Sequence, residues 1–336
     1  NHRSIFRLRL TRVSTCIPHH STLVILDMDY GIDDSMATLY LTSVEGIEIV
    51  AIGTVHSNTD AVSAAHNAAQ VMRSVGRTAV PIAIGSLRPM AQEINLASEV
   101  HGEDGIGGQA DGGDSSAQIT SEPAAMQLVR LARERPGQLT VLATGPLTNL
   151  AAAALLDPEL PQLLHSVVIM GGAVRVAGNI TPHAEANVWH DPEAADIVFS
   201  TFARVTLVPV DFTHAAWVDE PRLDAIEGAT STPLRDLVRA MLPQYRSFHL
   251  SVGDRVGFPL HDPSAAVLLC KPHLARYDEV ELVVETRGEL TRGAVLVDDR
   301  ERPVSSGRPR VSVAVEAAAS IADEFVSVAF GTSTLA

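Results

Sequence analysis

Asp27, Asp29, Asp33 and Asp34 fall within eight residues of one another, in the stretch LVILDMDYGIDD. Carboxylates packed that closely repel. At an effective dielectric of about 20, two charges about 4 Å apart cost roughly 4 kcal/mol. A hard divalent cation offsets this, and carboxylate oxygens suit Ca²⁺ or Mg²⁺. The bland alternative is a solvated acidic turn in which Asp33 caps a helix. It suits one aspartate better than four.

The elements around this turn say where it sits. Thr22–Leu26 is a short apolar run, and Asp33 to Ser43 has helical spacing of apolar residues. The acidic turn therefore joins a strand to a helix. In an open α/β sheet, ligands bind outside the carboxyl ends of the strands. The alternation continues with strands at Ile47–Gly53, Val80–Ile84, Leu139–Ala143, Ser166–Met170 and Val205–Val210. Helical segments lie between them, near Thr59–Val75, Pro123–Arg135 and Leu147–Leu156, and one starts at Asp191-Pro192. Pro221–Leu250 and His261–Leu269 also read as helical, Tyr277–Glu285, Ala294–Asp298 and Val311–Val315 as strands, and a helix closes the chain. The pattern predicts one open, mostly parallel sheet of Rossmann-like kind with helices on both faces. Two segments, Leu87–Glu122 and Gly171–His190, read as long functional loops.

Composition narrows the function. The 336 residues carry a net charge of −15, which argues against nucleic acid as a partner. Hydrophobic residues make up 46% and charged residues 19%, which excludes broad disorder. No apolar run approaches the roughly 18 residues of a membrane span. Lys271 is the only lysine, so chemistry needing a buried lysine has one candidate. Cys16 and Cys270 form no metal or disulfide framework, which fits a reduced, cytoplasmic setting. Residues 1–20 are arginine-bearing without a continuous apolar core. They read as a disordered extension, or more weakly as a transit peptide, and residues 21–336 as one catalytic domain.

A DxD at the end of a first strand occurs in two enzyme classes. Haloacid-dehalogenase-like phosphatases use the first aspartate, here Asp27, as a nucleophile with Mg²⁺. The match is partial, because Tyr30 interrupts the motif and Lys271 sits just before Pro272. DxDxGxDD more closely resembles the start of the nucleoside hydrolase family of the inosine–uridine-preferring type. Further motifs follow in order: TVHSN (Thr54–Asn58), HGEDGIGG (His101–Gly108), ATGPLTNLA (Ala143–Ala151) and the MGG…GN…ExN…DPxAA stretch within Val167–Ala195. VPVDFT (Val208–Thr213), HDPSAA (His261–Ala266) and ETRGELTRG (Glu285–Gly293) complete the set. Tyr30 and Ser57 depart from the family, which usually has Pro and Gly there.

The resemblance implies Ca²⁺-dependent hydrolysis of the N-glycosidic bond of ribonucleosides, in nucleoside salvage. It implies Asp29, Asp34, the Thr144 carbonyl and Asp262 as metal ligands. Asp29 is then the general base, one hydrogen bond from the attacking water. His261 protonates the leaving base, work suited to an imidazole. Asp33 accepts from the ribose 2′-hydroxyl, and Asn58 positions the water or the ribose. Asn179, Glu185 and Asn187 hold the sugar hydroxyls, and Glu185 and Asn187 share one face if extended. Met170 packs against the sugar, with a core methionine as the alternative. His101, Tyr245 and His249 line the base pocket, the last two one helical turn apart. The retained histidine before Asp262 implies an inosine–uridine or pyrimidine preference, and the family implies a homodimer or homotetramer. The other expectations are the phosphatase and a non-catalytic nucleoside- or Ca²⁺-binding protein.

Overall fold

The computed structural model describes residues 21–332. The expectation for residues 1–20 therefore lies outside the described residues. A nine-stranded sheet organises the chain. Its strands are β1 (Thr22–Met28), β2 (Ile47–Thr54), β3 (Ile82–Ile84), β4 (Ile119–Thr120), β5 (Leu139–Ala143), β6 (Ser166–Met170), β7 (Val205–Val208), β8 (Ala275–Glu281) and β9 (Arg310–Ala317). Their spatial order is β8-β9-β7-β6-β5-β1-β2-β3-β4. β8 and β9 pair antiparallel, and every other neighbouring pair is parallel. β1 lies near the middle, between β5 and β2.

Helices cover both faces, as parallel strands require. Those that matter for the site are α1 (Ile32–Ser43), α2 (Ala61–Ser74), α3 (Ala124–Glu134), α4 (Thr148–Leu156), α5 (Ala186–His190), α6 (Pro192–Thr201), α7 (Pro233–Ser251), α8 (His261–Cys270) and α9 (Ile321–Phe330). Alternation along β1 divides the core. Val24, Leu26 and Met28 join one hydrophobic cluster with α1, α2, α7, α8 and α9. Ile25 joins the other, beneath α3, α4 and α6. Asp27 shares Ile25's face. It is buried there, and the Asn149 Nδ2 of α4 donates to its Oδ1 at 2.7 Å.

Several boundaries differ from the sequence reading. The Leu87–Glu122 loop contains a helical turn, Ser98–His101, and ends in β4. The Gly171–His190 loop ends in α5, so Glu185 is that helix's N-cap rather than part of an extended segment with Asn187. The strand read as Tyr277–Glu285 begins at Ala275 and breaks at Leu282. Asp191 caps α6 with Pro192 at its first position, as its sequence implies.

Candidate active site

The turn after β1 reaches its helix by close backbone approach. Gly31 is the N-cap of α1, and a Cβ there would lie 2.6 Å from His101 Nδ1 and overlap Asn58 Nδ2. The Gly31 N–H donates to Asp34 Oδ2 at 2.7 Å. Asp34 is thus the acidic residue that satisfies the helix start, and Asp33 does not cap it. Both stand in the first turn of α1, where the helix dipole favours negative charge.

Residues from distant strands meet here. The Asn58 Nδ2, just beyond β2, donates to Asp29 Oδ1 (2.9 Å) and Asp34 Oδ2 (3.2 Å). The Thr144 hydroxyl, after β5, donates to Asp34 Oδ1 (2.6 Å). The Tyr245 hydroxyl of α7 donates to Asp33 Oδ2 (3.3 Å). Asp262, in the first turn of α8, joins Asp33 and Asp34 with carboxylate oxygens within 4.8 Å of one another. All four of Asp29, Asp33, Asp34 and Asp262 are buried.

Burial and mutual repulsion raise these carboxyls. Desolvation acts first on Asp29, followed by the charges of Asp34 and Asp33, and pushes it well above the carboxylate range. Desolvation also lifts Asp34 to about 6, with Asp33 adding to it, and raises Asp262 well above its ordinary value. Asp33 Oδ1 is buried without a partner. Among the described residues, no arginine or lysine pairs with these carboxylates, and the neutral His101 ring lies beside them, its Nδ1 4.0 Å from Asp33 Oδ1. An oxygen-only donor set with unbalanced negative charge fits a hard cation. The Thr144 carbonyl faces the same region, where it accepts from Asn187 Nδ2 at 2.8 Å.

A cavity of about 710 Å³ opens over this cluster. Asp33, Asn58, His101, Thr144, Met170, Asn179, Glu185, Asn187, Tyr245, His249, His261 and Asp262 all line it. Asp29 and Asp34 sit just beneath, tied to it through Asn58 and Thr144. The Glu185 carboxylate accepts from the backbone N–H of Gly172 (2.6 Å), Asn187 (2.9 Å) and Val188 (3.3 Å). It holds the backbone of this loop and helix start as well as lining the cavity. Asn187 Nδ2 also donates to the Met170 carbonyl at 3.2 Å. Asn179 Oδ1 accepts from the Ala186 N–H at 2.9 Å on the exposed rim.

One end of the cavity is lined by imidazole and aromatic rings. His101 Nδ1 accepts from the Ile32 N–H at 3.1 Å, which leaves the proton on its Nε2. Its loop is closed by Asp104, which accepts from Ile106, Gly108 and Ala110. Burial drives the His101 pKa down to about 4. Burial, then the imidazoles of His214, His249 and His101, push His261 well below the histidine range. The resting ring is therefore neutral near pH 7. Negative charge growing on a departing group beside it would raise its proton affinity. Trp217 and Phe248 complete this end.

Asp27 does not line the cavity. Desolvation raises it to about 7, and it faces α4 rather than substrate, so the phosphatase expectation has no nucleophile to use. The sequence reading missed Thr213, whose hydroxyl lies 2.8 Å from His261 Nδ1, and the neighbouring His214. It also missed Asn149, which ties Asp27 to the Thr54 carbonyl (2.9 Å) and the Ser86 N–H (2.8 Å). Only TGPLTN and VPVDFT point to Asn149 and Thr213 in the sequence, and no motif points to His214.

This sheet and the acidic, imidazole-facing cavity at its carboxyl edge are those of an N-ribosyl hydrolase. Residues 24–323 match the inosine-uridine preferring nucleoside hydrolase family, and the chain belongs to that family. It is 34% identical over 299 residues to a probable uridine nucleosidase 2 of Arabidopsis thaliana, covering 87% of this chain and 92% of that protein. It is 34% identical to an inosine-uridine preferring nucleoside hydrolase of Crithidia fasciculata, covering 82% and 88% of the two chains. A solved plant nucleoside hydrolase superposes with a TM-score of 0.87 at 30% identity, over 93% of this chain and 99% of that one.

Proposed function

We propose that this protein hydrolyses the N-glycosidic bond of ribonucleosides in a Ca²⁺-dependent manner, releasing free base and ribose for nucleoside salvage. The observation that carries this reading is the shared cavity, with the Asp29–Asn58–Asp34 hydrogen bonds at its floor and His261 facing it. Asp29, Asp34, the Thr144 carbonyl and Asp262 would hold the cation. When bound, it neutralises the acidic floor and polarises the ribose diol and a water. Asp29 takes the proton of the attacking water, with Asn58 holding its carboxylate. Asp33 accepts from the 2′-hydroxyl, and its unpartnered oxygen is free to do so. Asn179, Glu185, Asn187 and Met170 grip the sugar. His101, Tyr245 and His249 enclose the base, and His261, taking up a proton from solvent as negative charge builds on the base beside it, passes that proton to the base as the bond breaks.

The base preference we propose is uridine and inosine, or pyrimidine nucleosides more broadly. Relatives named as uridine nucleosidases or, in Shewanella woodyi, as a pyrimidine-specific ribonucleoside hydrolase support it. We further propose a cytoplasmic homodimer or homotetramer with residues 21–336 as one catalytic domain. Among the described residues, no helix is long and apolar enough to cross a membrane.

The test is reducing-sugar release from inosine, uridine, cytidine and adenosine, before and after EGTA treatment and with Ca²⁺ restored. Release that disappears on chelation and returns with Ca²⁺ is the expected result. No release from any nucleoside by folded, Ca²⁺-loaded protein would favour a binding protein instead.

A further inference from the structure

His249 stands in the last turn of α7, and the chain leaves that helix so that Asp254 folds back beside it. Gly253 adopts φ +87°, its N–H donates to the Leu250 carbonyl (3.2 Å), and the Asp254 N–H donates to the His249 carbonyl (3.0 Å). This pair of bonds is a Schellman cap, which favours glycine at its left-handed position. The cap has a chemical consequence. Asp254 Oδ2 lies 2.8 Å from His249 Nδ1. A carboxylate accepts, so the imidazole proton is on Nδ1 and Nε2 keeps its lone pair.

Burial holds the His249 pKa below the ordinary histidine range, although Asp254 pulls it upward, so the ring is neutral near pH 7. Its Nε2 is buried and has no partner. The ring lines the cavity, with Tyr245 at 4.8 Å and Trp217 at 6.1 Å between ring centres. A buried acceptor left empty is costly, so a ligand that fills it is favoured over one that does not.

We infer that Asp254 sets the base preference of this site, by fixing His249 Nε2 as a hydrogen-bond acceptor for an N–H on the edge of the departing base. The inference rests on the riboside-hydrolase reading above. Uracil N3–H and hypoxanthine N1–H are such donors, and methylation at N3 of uridine removes the first. Asp254 is a positioning residue that acts through His249. Without it, the imidazole is free to carry its proton on Nε2 and present a donor instead.

The experiment uses the Ca²⁺-loaded protein. ¹⁵N spectra of His249, assigned with a His249→Gln variant, read the tautomer directly. Kinetics on uridine, 3-methyluridine and p-nitrophenyl riboside are compared for wild type and Asp254→Ala. The expected results are an unprotonated Nε2 in the wild type and a preference for uridine over 3-methyluridine of about tenfold or more in kcat/KM. In Asp254→Ala that ratio falls to about twofold or less. A protonated Nε2 in the wild type overturns the inference. So does a ratio that survives in Asp254→Ala, since a methyl group excluded only by its bulk gives that result. Equal wild-type rates on uridine and 3-methyluridine also overturn it, with the hydrolase reading intact. Ribose release from none of the three substrates overturns that reading and this one together.

Discussion

The Thr213 hydroxyl lies 2.8 Å from Nδ1 of His261, so Nε2 is the nitrogen left to face a substrate. The contact fixes the ring at the cavity wall, with His214 edge-on at 5.8 Å between centres. A general acid held in this way contributes only when the leaving group needs a proton. His261→Ala should lower kcat on uridine and inosine by roughly 10²–10⁴-fold. It should change p-nitrophenyl riboside hydrolysis far less, because p-nitrophenolate departs unprotonated. Thr213→Val should act in the same direction and by less. Equal losses on both kinds of substrate would sink the acid assignment.

Asp29→Asn removes a base and leaves an acceptor. The amide oxygen can still receive the Asn58 Nδ2 that now donates to Asp29 at 2.9 Å. Ribose release should fall by roughly 10²-fold or more on every substrate, p-nitrophenyl riboside included. Circular dichroism and thermal midpoint in EGTA should remain those of a folded protein, since one of the mutually repelling charges is gone. Retained turnover would move the base to another carboxylate.

Asp27 offers a pH test at a carboxyl whose side chain faces α4 rather than the cavity. Its folded-state pKa is raised to about 7 from 3.8, chiefly by burial. A raised value means that the protonated form is favoured on folding. The associated stability is fully present below about pH 4 and is lost as pH rises through about 7. A shift of about three units corresponds to at most roughly 4 kcal/mol. Asp27→Asn is neutral at every pH and keeps an acceptor for Asn149. Urea unfolding in EGTA should show the variant gaining on wild type between pH 4 and pH 8. A difference that does not change with pH would contradict the buried, protonated state.

Tyr30 and Ser57, read from the sequence as departures from the resembled motifs, are also the non-glycine residues with positive φ, at +36° and +147° among the described residues. Ser57 precedes Asn58, and its backbone is held by the Ala97 N–H donating to its carbonyl at 2.9 Å. Glycine occupies φ +147° without the strain that a Cβ brings. Ser57→Gly gives up the 3.2 Å contact between Ser57 Oγ and His190 Nδ1, but His190 Nδ1 keeps the Ala186 carbonyl at 2.7 Å. The variant should be more stable by about 1 kcal/mol, the strain outweighing the lost contact and glycine's greater chain entropy. A drop in thermal midpoint would show that the serine's side chain matters more than its backbone.

Local chemistry was enough for much of this protein. Short apolar runs of about five residues, separated by helical periods, implied a parallel sheet, and β5 and β6 fall where those runs lie. The acidic turn, HDP and Asp191-Pro192 were legible because capping, turns and charge crowding act over a few residues. What joins distant segments was decided by packing. Asp262 meets Asp33 and Asp34 only because α8 packs beside α1 over the sheet's carboxyl edge. Asp27 and Asp29 look alike in sequence. The two-residue alternation of β1 turns Asp27 toward Asn149, and Asp29 lies past the strand's end beneath the cavity. The His249–Asp254 pair depends on a left-handed glycine closing a helix, and Thr213 reaches His261 from another strand's end. Spacing along the chain determines which groups are available. Which of them share a cavity is set by strand order, register and helix packing, since those bury the charges and exclude the water that would otherwise screen them.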